Sequence, residues 1–228
     1  MSRRVVAATL AALTLSVSSL SAQPVFDNGA PTGQGMRWGI EFGQPSQAHD
    51  FVLGAATSLG AFNWWAMVNP SNGPATLQAG YKVSVYQNNA GSPGTSLFSQ
   101  TYTNQTGTID PSCCDPSFRV GYSGYTGYTF SADLGGLSLG AGTYWISLSD
   151  FQHPDSFWIQ TASNGSLDQY QETGSGWGTD PFGSVEGAFN LTAAPATVVP
   201  EPASLALVAS GFLGLAVIAR RRRGSLRV

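Results

Sequence analysis

Six tryptophans and eight tyrosines are the side chains of this 228-residue sequence best suited to binding chemistry. A flat aromatic ring offers apolar area to the C–H face of a pyranose, so accessible indoles suit neutral sugars. The candidates for glycan stacking are Trp64, Trp65, Trp145, Trp158 and Trp177. Large rings usually end in a core, so most of these are expected to pack rather than bind. Trp64 and Trp65 are adjacent, and adjacent strand residues face opposite ways. One of the pair therefore belongs to the core, and the other to the outer face or the underside of a loop.

Groups for hydrolytic or metal chemistry are sparse. His49 and His153 do not recur at metal-ligand spacing. Gly121-Tyr122-Ser123-Gly124-Tyr125 lacks the final glycine of a nucleophile elbow. The carboxylates are scattered singly, and nothing selects a pair for glycoside hydrolysis. No enzyme is expected and no catalytic or metal-ligating set is assigned. Loop carboxylates at Asp150 and Asp155, or at Asp110 and Asp115, could offer oxygens to Ca²⁺, but no Asp-x-Asp-x-Asp loop with a glycine is present. Cys113 and Cys114 cannot form a long-range staple. In an oxidising compartment a vicinal disulfide, two thiols or intermolecular bonds are open to them. The favoured reading is a vicinal disulfide stiffening the loop between Asp110-Pro111 and Asp115-Pro116.

The elements that must carry these residues read as strands, with no convincing amphipathic helix. Strands are expected over 36–42, 49–53, 59–69, 81–87, 95–103, 117–122, 125–134, 143–149, 156–161 and 185–191. Alternation puts Phe62, Trp64, Ala66 and Val68 on one face of the longest, with Asn63, Trp65, Met67 and Asn69 opposite. Tyr81, Val83 and Val85 oppose Lys82, Ser84 and Tyr86, while Tyr144, Ile146 and Leu148 point inward with Trp145 on the other face. The segment 88–94 is a hairpin loop, 117–122 and 125–134 form a second pair, and 174–183 is a long surface loop carrying Trp177. Together these predict an all-β ectodomain over 23–192, an antiparallel two-sheet sandwich of jelly-roll type.

The two ends have another character. Residues 1–22 read as a secretory signal peptide: Arg3 and Arg4, an apolar stretch from Val5 to Leu15, and small residues up to Ala22. After a linker over 193–199 come Pro200-Glu201-Pro202 and an uncharged apolar run over 203–219. Arg220, Arg221, Arg222 and Arg223 follow, then a tail over 224–228. As a helix that run would span roughly 25 Å, the short limit for a bilayer crossing. The four arginines would act as the stop-transfer signal that keeps the C-terminus cytoplasmic. Pro200 and Pro202 lack amide hydrogens and disfavour helix before them, which leaves the segment extended and accessible to a protease.

Tripeptide, apolar run and arginine cluster in this order resemble the PEP-CTERM sorting signals of Gram-negative bacterial surface proteins. The resemblance implies cleavage at or near Pro200, Glu201 and Pro202 by exosortase, a membrane-embedded cysteine protease-transpeptidase. The same segment also ends proteins described as ice-binding. Asp50-Phe51-Val52-Leu53, Phe62-Asn63-Trp64-Trp65, Val83-Ser84-Val85-Tyr86, Gly91-Ser92-Pro93-Gly94-Thr95 and Leu139-Gly140-Ala141-Gly142-Thr143-Tyr144-Trp145 look like β-sandwich ectodomains of anchored bacterial surface proteins.

The terminal segments hide the charge of the rest. Seven of the ten basic residues lie in them (Arg3, Arg4, Arg220, Arg221, Arg222, Arg223 and Arg227), as does only Glu201 of the thirteen acidic ones. Three basic against twelve acidic residues remain, so a chain of net charge −3 carries an ectodomain of −9, which argues against binding nucleic acid. The expectation is a non-enzymatic surface or extracellular-matrix protein, structural or adhesive in exopolysaccharide or biofilm. It would use the Sec translocon, signal peptidase and an exosortase-like transpeptidase, with a transient single pass through the cytoplasmic membrane before reaching the cell surface. The competing readings are a carbohydrate-binding or carbohydrate-active domain with the same address, and a plain membrane-anchored protein that is never cleaved.

Overall fold

A computed structural model of the chain describes residues 24–39, 46–68, 77–110, 125–152, 156–162, 170–172, 176–179 and 186–195. The chain divides into two compact units, Met1–Ala194 and Pro195–Val228, and the fold below is that of the first. The strand expected over 117–122, the signal peptide and the apolar run over 203–219 lie outside the described residues. Among the described residues no helix is long and apolar enough to cross a membrane.

The described elements are twelve strands: β1 (Pro24–Asp27), β2 (Pro31–Gly39), β3 (Gln47–Leu53), β4 (Thr57–Val68), β5 (Leu77–Asn89), β6 (Ser92–Ile109), β7 (Thr126–Leu139), β8 (Gly142–Ser149), β9 (Ser156–Thr161), β10 (Tyr170–Glu172), β11 (Trp177–Thr179) and β12 (Phe189–Ala193). All recorded pairings are antiparallel, and one hydrogen-bonded path runs β1-β12-β4-β7-β6-β5-β8-β3-β10-β11. Along one edge β4 holds β12 over Leu59 to Trp64, then β9 over Ala66 to Val68, and β9 in turn holds β2.

The all-β antiparallel expectation holds, and the strands are joined in one continuous curled sheet that is sandwich- or barrel-like. The cause is β6, whose 18 residues outrun the expected 95–103. Its first part pairs with β5, and its last residues, Thr108 and Ile109, pair with Thr129 and Tyr128 of β7. The sheet thus folds over on itself and nearly closes as a barrel. Phe26 of β1 meets Phe51 of β3 with ring centroids 5.9 Å apart. β7 takes β4 as its long partner.

The alternation read from the sequence carries the core. Phe62, Trp64, Ala66 and Val68 are fully buried against Tyr81, Val83, Val85, Ile146 and Leu148. Trp64 stacks on Phe130 at 4.9 Å and meets Tyr81 edge-on at 5.2 Å. Offset and edge-to-face contacts of this kind add to the energy of burial. Two glycines make room for these rings. A Cβ on Gly107 would lie 2.6 Å from the Phe130 ring, and one on Gly187 would lie 2.5 Å from the Trp158 ring. Burial pushes the Tyr102 hydroxyl up to about 12, with the Asp133 charge adding to it. That hydroxyl donates to the Asp133 carbonyl, and the Tyr81 hydroxyl donates to the Ser131 carbonyl at 3.0 Å.

Two loop expectations are corrected. The segment 88–94 is not an open loop: β5 and β6 run up to Asn89 and Ser92, which pair across Ala90 and Gly91. Ala90 and Gly91 take φ of 52° and 88°, the left-handed region that a two-residue hairpin turn demands. The Asn88 carboxamide stabilises the turn by accepting the Gly91 N–H at 3.1 Å. Trp177 lies in β11, which pairs with β10 as Glu172↔Trp177, rather than in a long loop.

Candidate functional site

Three in-register strands place a polar and aromatic row on the outward face of the β3–β8–β5 region. Asp50 pairs with Trp145, and Trp145 pairs with Tyr86; residues opposite one another in a ladder share a face. Trp145 is on the face opposite Ile146, as alternation requires, yet it is fully buried. Tyr86 is half-buried, and its ring meets half-buried Trp177 of β11 edge-on at 5.4 Å.

The end of the β5–β6 hairpin adds a cleft of about 510 Å³ lined by Gln87, Asn88, Asn89, Gly94 and Thr95. Among the described residues, none that lines it carries a charge. Asn88 ties the cleft to the row, because its Oδ1 accepts the indole N–H of Trp145 at 3.0 Å as well as the Gly91 N–H. Both acceptor positions of that oxygen are then occupied, and the amide nitrogen is left with its two donors. Gly94 allows a close approach between the two strands of the hairpin: a Cβ there would sit 2.8 Å from the Asn89 Cβ.

The five indoles expected as stacking candidates separate sharply. Trp64, Trp145 and Trp158 are fully buried, and a ring without a free face cannot stack on a sugar. Trp158 donates its N–H to the Ala188 carbonyl at 3.0 Å. Trp65 and Trp177 are half-buried and lie on different parts of the sheet, so the set is not brought together. The Trp64–Trp65 pair divides as alternation requires. Trp65 donates to Asp110 Oδ2 at 2.9 Å and packs with Met67, Tyr125, Phe157 and Ile159 in a satellite cluster.

His49 sits in the core, 4.6 Å from Trp158 and perpendicular to it, with neither ring nitrogen hydrogen-bonded among the described residues. Burial lowers its pKa to about 3, which holds the ring neutral. Asp110 is engaged by Trp65. The expected disulfide pair Cys113 and Cys114 lies outside the described residues, as do Asp115, His153 and Asp155. So do the expected processing motif Pro200, Glu201 and Pro202 and the expected stop-transfer residues Arg220, Arg221, Arg222 and Arg223. Among the described residues no group of three or more His, Cys, Asp or Glu is placed to hold a metal ion.

Reasoning from sequence missed Gln87, Asn88, Asn89 and Thr95 as a group. Their only signal was the run of three carboxamides, which is also turn composition.

No curated protein matches the chain at a significant level. Residues 198–223 match the family model described as the PEP-CTERM protein-sorting motif. The match spans the tripeptide, the apolar run and all four arginines, Arg220, Arg221, Arg222 and Arg223. That motif marks the chain as an exported surface protein targeted to an exosortase.

Proposed function

We propose that the chain is a non-enzymatic component of the cell surface or extracellular matrix, structural or adhesive in exopolysaccharide. It would be exported with removal of residues 1–22, held by a helix over 203–219, and released by cleavage near Pro200-Glu201-Pro202. The match at 198–223 carries this reading. Two described side chains fit it: His49 is sealed in the core, and Asp110 holds an indole. Intact-mass analysis of the mature protein tests the reading. A C-terminus near Pro200 supports sorting and release; one at Val228 refutes them in favour of a permanent anchor.

A carbohydrate-binding role within the same setting is favoured by one observation, the carboxamide-lined cleft at the β5–β6 hairpin.

A further inference from the structure

We infer that the cleft at the β5–β6 hairpin is a binding site for neutral saccharide, with Asn88 as its fixed donor. Its volume of about 510 Å³ lies within the usual range for small-ligand clefts, about 300–1,000 Å³. The side-chain amides of Gln87 and Asn89 and the hydroxyl of Thr95 line it and make no hydrogen bond within the described protein. Asn88 differs from them in being held. Two N–H groups, from Trp145 and Gly91, fix its oxygen, so the amide nitrogen is oriented before any ligand arrives. A donor ordered in advance loses less entropy on binding.

The chemistry selects hydroxyl groups. Planar carboxamides present a donor and an acceptor side by side, which matches vicinal hydroxyls on a sugar ring. Among the described residues, none that lines the cleft could neutralise an anion or a cation, and the surrounding domain, at net −9 from its composition, repels uronates and sulfates. Tyr86 precedes Gln87 directly, and its partner Trp177 lies on β11, which approaches β6.

The inference rests on the matrix reading only for where the sugar comes from. Binding in solution is independent of tail cleavage, so either claim can fail alone. The full chain in detergent is run on native gels containing dextran, galactomannan or hydroxyethyl cellulose, with alginate as the anionic comparison, and is titrated with the matching neutral oligosaccharide. Retardation by at least one neutral polymer and none by alginate is expected. Asn88→Asp keeps the oxygen that accepts from Trp145 and removes the donor pair, and should weaken binding about tenfold or more. If that variant melts lower than wild type, Gln87→Ala, whose side chain makes no hydrogen bond among the described residues, should still weaken binding roughly threefold to tenfold. Failure of every neutral polymer to retard the chain overturns the inference. So does equal retardation by alginate, or wild-type affinity in both variants.

Discussion

The inner face of β4 and the outer face of β5 and β8 use the same residue type in opposite ways. On the inner face Trp64 is spent on packing, stacked on Phe130 and edge-on to Tyr81. On the outer face Trp145 is equally buried, but its N–H sets the position of Asn88 at the rim of a cleft. The contrast extends to their polar neighbours. The nitrogens of His49 are sealed in without a hydrogen bond among the described residues, whereas the Asn88 oxygen takes two donors. Burial alone does not separate core from site here; what the polar atom of each ring does separates them.

The largest test of this contrast is Trp64→Ala. Removing a fully buried indole should cost up to about 5 kcal/mol in the unfolding free energy of the chain, read by denaturant titration. Acid should expose the other peculiarity of the interior. His49 has a folded pKa of about 3 against 6.5 when unfolded. The unfolded chain therefore takes up a proton that the folded chain refuses. Stability falls as pH drops through 6.5 and stops falling from this cause near 3, a loss of roughly 5 kcal/mol. His49→Leu should flatten that part of the pH profile; an unchanged profile would show that the ring is not sealed.

Smaller effects sharpen the comparison. Gly107→Ala drives a methyl into the Phe130 ring and should cost about 2 kcal/mol. Ala90→Gly, at the hairpin beside the cleft, should instead add about 0.5 to 1 kcal/mol by relieving a left-handed backbone. The smallest change is expected from Trp177→Ala, a half-buried ring on a three-residue strand, at less than about 1 kcal/mol. A loss near that of Trp64→Ala would place Trp177 in the core and erase the distinction.

Strand identity was legible where one face is buried, because alternation at Phe62 to Val68 and at Tyr81 to Val85 is imposed by a core that demands every second residue. The 156–161 strand matches β9 at both ends. Legibility failed where pairing rather than burial defines the strand. β10 and β11 are three residues each, too short for a period, and the tail of β6 from Asn104 is polar because much of it faces solvent. The cleft was hidden for a related reason. Gln87, Asn88 and Asn89 read as turn composition, and only the structure shows the strand running through them to a turn at Ala90 and Gly91. His49 gave no warning either, since its strand was expected but nothing in sequence distinguishes a sealed imidazole from an exposed one.

The exit of the chain has a mechanical consequence. β12 is the last described strand before the segment leading to the sorting motif, and it lies between β1 and β4, antiparallel to both. Just beyond it the Ala194 N–H donates to the Ser58 carbonyl at 2.7 Å. Gly60 packs there so closely that a Cβ would meet the Ala193 carbonyl oxygen at 2.7 Å. Any tension applied through the residues that follow reaches a strand clamped on both sides. β12 can leave only by breaking its ladders to both β1 and β4.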